Sequence, residues 1–221
     1  MANAGNLFTR AGSLRIGIAM VLTIAAAGVL NGCGGASVAV PTTSFPIPLV
    51  EKLPLKMGVH LTPELVAYVH AEKLETSGDW RIDLGSAQQT MFSNLLTGMF
   101  DSMEFVADPL SASGELDGVL VPNIEEVQFS IPTQTRSDYY EVWIRYQFKL
   151  YSGDGQLLAD WPLTAYGKAN QRNYGLQTDQ PGLQAAALAA CRDAMAFFTV
   201  QFHGIPPVKD WLAGELGGQS T

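Results

Sequence analysis

The stretch YYEVWIRYQFKLYSGDGQLLADWPLTAYGK, residues 139–168, decides the fold. In its first half Tyr140, Val142, Ile144, Tyr146, Phe148 and Leu150 alternate with Tyr139, Glu141, Trp143, Arg145, Gln147 and Lys149. A period of two with one apolar and one polar set is the mark of a strand in an antiparallel sheet with one wet face. Ser152-Gly153-Asp154-Gly155 then supplies a tight turn, because Asp-Gly accommodates the positive φ that a hairpin needs, and a second strand is expected over 156–168. Upstream, 118–131 carries the same alternation, with Glu125, Val127, Phe129 and Ile131 on one face. Three consecutive runs of this kind predict an antiparallel meander.

Working outward, Leu55, Met57, Val59 and Leu61 alternate with Lys56, Gly58 and His60, which predicts a further strand ended by Pro63. Shorter strands are expected over 67–74 and, after the turn Ser77-Gly78-Asp79, over 80–84. The run 86–103 changes period: Ala87, Met91, Leu95 and Met99, with Phe92, Leu96 and Phe100, recur at three- and four-residue steps, an amphipathic helix N-capped by Ser86. An Ala-rich helix is expected from Pro181-Gly182 to about Phe202, closed by Gly204 and by Pro206-Pro207. These elements make an α+β domain: a mostly antiparallel sheet with a long three-strand meander and two helices packed on one face. Residues 34–50, with Pro41, Pro46 and Pro48 among small residues, read as an extended spacer, so the domain is expected over 51–213, with a disordered tail over 214–221.

The amino-terminal segment has a different character. Arg10 and Arg15 precede fifteen uncharged, largely apolar residues from Ile16 to Leu30, and no acidic residue occurs before Glu51. This is the polarity of a secretory signal, and the run falls short of the roughly 20 apolar residues that a membrane-spanning helix requires. Leu30, Gly32 and Cys33 resemble the cleavage motif of bacterial lipoprotein signal peptides, which place Leu three residues before an acceptor cysteine and a small residue directly before it. The resemblance implies removal of residues 1–32 and attachment of diacylglycerol and a further acyl chain, of the palmitate kind, at Cys33. Each buried methylene contributes about 0.8 kcal/mol, so several chains together hold a protein on a bilayer. Gly34 and Gly35, where retained inner-membrane lipoproteins carry Asp, favour by the same resemblance the outer membrane, with the domain facing the periplasm.

The chain has 13 basic and 21 acidic residues; two basic residues and no acidic ones lie in the signal, so the processed protein carries a formal −10. Such a surface repels phosphate backbones, and nucleic acid is excluded as a partner. Attachment to anionic headgroups must then come from the acyl chains, not from a basic patch. Only Cys191 remains besides Cys33, and among alanines it reads as a small buried thiol.

No metal-binding spacing, nucleophile elbow or phosphate-binding loop occurs, and His60, His70 and His203 are widely separated. No cofactor and no metal are expected. Glu125-Glu126 is the one adjacent acidic pair; neighbours on a regular strand point to opposite faces, so cooperation in acid–base work is not expected, and the two are expected to be solvated or paired with Arg145. Tyr139, Trp143, Arg145 and Tyr151, with Lys149 beside them, make a candidate binding face on the polar side of their strand, because aromatic and long basic groups mark contact surfaces; cross-strand pairing is the plainer use of the same residues.

In architecture the chain resembles small envelope lipoproteins that serve as accessory or assembly factors, including auxiliary lipoproteins of lipid-transport systems. The expectation is a membrane-anchored periplasmic protein without catalytic activity, whose sheet face or edge binds an envelope protein or a lipid in transit. A tethered hydrolase with dispersed catalytic residues and a purely structural lipoprotein are the alternatives.

Overall fold

The computed structural model describes residues 34–110, 115–175 and 179–218. At its centre β7 (Tyr139–Ser152) and β8 (Leu157–Asn170) form the expected hairpin, and β6 (Gly118–Ser130) pairs antiparallel with β7 on its other side. The turn closes with Gly155 at φ +85°, and the Ser152 hydroxyl accepts from the Gln156 N–H at 3.0 Å. Before this meander come β1 (Gly35–Ala39), β2 (Leu53–Val59), the short helix α1 (Pro63–Val66), β3 (Val69–Leu74), β4 (Gly78–Asp83), α2 (Gly85–Met99) and β5 (Phe100–Phe105). The single-turn helix α3 (Pro132–Thr135) links β6 to β7, and α4 (Asp179–Gln201) and α5 (Pro206–Gly218) end the described chain.

The strands make two sheets, β1-β4-β3 and β5-β2-β6-β7-β8. The α+β class is as expected, but the sheets are mixed. The longer ladders are antiparallel, whereas β1 pairs parallel with β4, and β2 pairs parallel with both β5 and β6. Parallel neighbours need a long connection, and the chain between β2 and β5 supplies one that contains α2.

The apolar row of β7 faces inward, and Tyr140, Val142, Ile144, Tyr146, Phe148 and Leu150 are all buried beneath the helices. Phe148 is the hub, with ring centroids 6.1 Å from Phe92 of α2, 5.5 Å from Trp161 of β8 and 5.0 Å from Phe198 of α4. Packing α4 onto the sheet depends on small residues. A Cβ at Gly167 of β8 would lie 2.2 Å from the Ala186 carbonyl oxygen and the Ala190 nitrogen, so the helix rests directly on bare backbone. Length and composition would let the segment from Asp179 to Gly204 cross a membrane, yet its buried face, from Leu183 to Phe198, is the sheet's cover.

Several expected boundaries move. The run 34–50 is not a spacer: Ala36, Val38 and Val40 alternate inward, β1 pairs with β4, and Phe45 is buried. Small residues and prolines hid a strand whose burial partners lie far away in sequence. The helix expected over 86–103 stops at Met99, and 100–105 becomes β5, because the Phe100 ring turns inward against Phe202 at 5.6 Å. Ser86 is not its cap residue; the Ser86 N–H is instead the donor, to the Asp83 carboxylate at 3.1 Å. Pro63 begins α1, after Thr62 caps it through the Leu65 N–H at 3.2 Å. Pro206 and Pro207 likewise stop α4 and start α5, whose first turn has no intrahelical use for their missing N–H groups. Residues 214–218 of the expected tail therefore belong to a helix, and Val208, Trp211 and Leu212 on its inner side are buried. One apolar core runs from Ala36 to Leu212, so the domain begins well before residue 51.

Candidate functional site

All three long helices sit on the inner face of the large sheet, so the outer face of β6, β7 and β8 is left open. Register sets its rows: Gln128, Trp143 and Tyr166 lie side by side, and next to them Glu126, Arg145 and Thr164. Together Glu126, Gln128, Trp143, Arg145 and Thr164 line a groove of about 260 Å³. A second hollow of about 410 Å³ continues along the same strands past Asn123, Glu125, Gln147, Lys149 and Asp160.

Trp143 is half-buried and leans on Tyr166, with centroids 5.2 Å apart and planes at 36°. The Tyr166 hydroxyl donates to Glu141 Oε1 at 2.5 Å, and the Ser130 hydroxyl donates to Glu141 Oε2 at 3.1 Å. Burial of the phenol, and then its bond to Glu141 and that carboxylate's charge, push the Tyr166 pKa up to about 12. The indole therefore rests on a fixed aromatic neighbour. Arg145 is held from the other side: Nε lies 3.1 Å from Glu125 and Nη1 lies 3.8 Å from Glu126, whose other oxygen accepts from Gln128 Nε2 at 2.6 Å. All three charges are well exposed, so each pair contributes at most about 1 kcal/mol to stability. Their effect is to orient the guanidinium and largely neutralise it.

Both glutamates reach Arg145 because the ladder skips between Ile124 and Glu126. That bulge turns Glu125 and Glu126 to one face, against the expectation from regular alternation, while the expected pairing with Arg145 is present. Of the candidate face, the structure brings together Trp143 and Arg145. Tyr139 and Tyr151 stand at opposite ends of β7, about 40 Å apart at 3.4 Å per residue. Tyr139 is covered at one end by the Lys168 ammonium, 5.2 Å from its ring centroid, and Tyr151 pairs with Leu157 beside the hairpin turn. Cross-strand pairs do form, between Trp143 and Tyr166 and between Arg145 and Glu126, and still leave the groove open.

Sequence reading missed Tyr166, Glu141 and Gln128. Strand parity marks all three as outward, but their meeting with Trp143 follows only from register.

The edge of the sheet is blunted. The Tyr166 N–H points away from β7 and donates to the Asp193 carboxylate of α4 at 2.9 Å, and Pro162, on the same side of β8, has no N–H to offer. Such devices stop another strand from adding to an edge, which leaves the face as the open surface of this end of the sheet.

The histidines do not converge. His60 Nδ1 lies 3.0 Å from the Val106 carbonyl, His70 is edge-on to Phe129, and His203 is edge-on to Phe202. Among the described residues no three His, Cys, Asp or Glu side chains could hold one metal ion, and neither outer hollow is lined by a histidine. Cys191 is buried as expected; burial pushes its pKa up to about 12, with the Tyr146 hydroxyl beside it. Cys33 and the signal lie outside the described residues.

No family model matches the chain, and no curated protein does. Among solved structures, a minor lipoprotein from Acinetobacter baumannii is 14% identical, with a TM-score of 0.38, over 68% of this chain and 92% of that one. A hypothetical protein from Chlamydia trachomatis is 11% identical, with a TM-score of 0.41, over 73% and 99%. A putative lipoprotein from Caulobacter crescentus is 10% identical, with a TM-score of 0.39, over 59% and 84%. Likeness this slight carries no argument about what this chain does.

Proposed function

We propose that the chain is a lipid-anchored protein of the bacterial envelope, held by acyl chains on Cys33 at the periplasmic side of the outer membrane, where its domain serves as a non-catalytic accessory or assembly factor. The observation that carries this reading is the asymmetry of the large sheet: helices seal one face, and the other presents an oriented indole and guanidinium in an open groove. Aromatic and arginine side chains with fixed neighbours are the groups that dominate protein contacts, since little conformational freedom is lost when a partner covers them. The anchor rests on the apolar run, Leu30, Gly32 and Cys33, and the sorting to the outer membrane on Gly34 and Gly35.

Two measurements test it. Intact-mass analysis of the membrane-extracted protein gives a chain starting at Cys33 with added acyl mass; an unprocessed or unmodified chain overturns the anchor. A photo-crosslinking residue in place of Thr164, in the same groove with Trp143 left intact, then captures one envelope protein in stoichiometric yield, and the same residue at buried Trp161 does not. A monomer without captured partner at both positions overturns the accessory role.

A further inference from the structure

We infer that the acylated end holds this domain flush on the bilayer, with the turn between β3 and β4 against the lipid headgroups, so that its partner is met within about 40 Å of that surface, the width of a compact domain of this length. The inference rests on the anchor reading above and concerns what the fold does with it. Its basis is how the first described residues pack. Gly34 is already packed: a Cβ there would lie 2.8 Å from the Ser77 carbonyl oxygen, and one on Gly78 would lie 1.7 Å from the Gly34 oxygen. Gly35, at φ +121°, is equally close to Asp79 and opens β1, whose Ala36 and Val38 are buried. Side chains at 34, 35 and 78 would drive the first strand off the turn.

One peptide unit, about 3.8 Å between Cα atoms, therefore separates the acylated residue from rigid structure. A flexible coil over the 17 residues 34–50 would have given about 23 Å of reach. With none, the acyl chains cannot enter a bilayer unless the neighbouring surface comes down with them. That surface is the turn with exposed Glu75 and Thr76 and half-buried Ser77, flanked by exposed Glu72, Lys73 and Asp79. Hydroxyls and backbone groups suit the hydrogen-bonding layer of headgroups, and the excess of carboxylates selects zwitterionic over anionic lipid. A protein seated this way has no reach across the periplasm. The partner is embedded in, or bound to, the same membrane.

The test uses the full chain made and processed in a Gram-negative host, carrying Thr76→Cys at the exposed tip of the turn, extracted and reconstituted in phosphatidylethanolamine vesicles. Cys191 is buried, so a fluorophore labels the new thiol alone. Headgroup-attached spin labels are expected to quench it strongly. A 20-residue Gly/Ser insertion between Cys33 and Gly34, which adds about 25 Å of reach, is expected to abolish the quenching. An unquenched label on a chain whose mass shows acylation, or quenching that survives the insertion, overturns the flush seating and leaves the anchor standing. A chain without acyl mass overturns both.

Discussion

The two faces of β7 are made from one alternating sequence and do opposite work. Inward, six side chains from Tyr140 to Leu150 are almost wholly removed from water and meet three aromatic rings from other elements around Phe148. Outward, Trp143 and Arg145 line an open groove, the indole leaning on Tyr166, which Glu141 holds by a hydrogen bond, and the guanidinium paired with two exposed glutamates at little gain to folding. Stability and the proposed recognition are thus separated by a single residue of strand register.

The inner face gives the largest expected effect. Phe148→Ala leaves a cavity among Phe92, Trp161 and Phe198 and should cost about 3–5 kcal/mol, read as a lower midpoint in urea unfolding with the slope unchanged. A loss below about 1 kcal/mol would mean that the rings close the gap and that the inner row is no hub. Gly167→Ala comes next. Its methyl group would meet the backbone of α4 at 2.2 Å, and because a helix cannot yield as a side chain can, about 1–3 kcal/mol should be lost.

Legibility follows the same division. Residues 139–168 showed their pairing because both strands of a hairpin are local, and their alternation survives any tertiary context. Residues 35–39 and 100–105 did not. Each is a short parallel strand whose partner lies elsewhere in the chain, and Phe100 continued a helical period up to the residue where the backbone turned. At the candidate site, parity alone placed Trp143 and Arg145 outward, whereas the approach of Tyr166 needed register, and the convergence of Glu125 with Glu126 needed a bulge that no composition signals.

Outer substitutions sharpen the contrast from the other direction. Trp143→Ala removes the contact with Tyr166 and should cost only about 0.5–1.5 kcal/mol while abolishing capture of the partner. If it destabilised the fold as Phe148→Ala does, the outer row would be structural too.

The smallest effect is confined to alkaline pH. Because folding raises the Tyr166 pKa from the ordinary 10 to about 12, the folded state favours the neutral phenol over the phenolate. Its contribution to stability is fully present below pH 10 and is lost as pH rises through about 12. Tyr166→Phe cannot ionise, so the difference in unfolding midpoint between wild type and variant should be constant from pH 7 to 9 and shrink above 10. Glu141 supplies part of that shift by accepting the phenol's hydrogen bond, so Glu141→Gln should leave the onset near pH 10, bring the end of the loss closer to it and reduce its size, without altering the core. A pH-independent difference between wild type and Tyr166→Phe would show that the phenol is not held by Glu141 in solution, and the indole of Trp143 would then lack the fixed neighbour on which the proposed recognition depends.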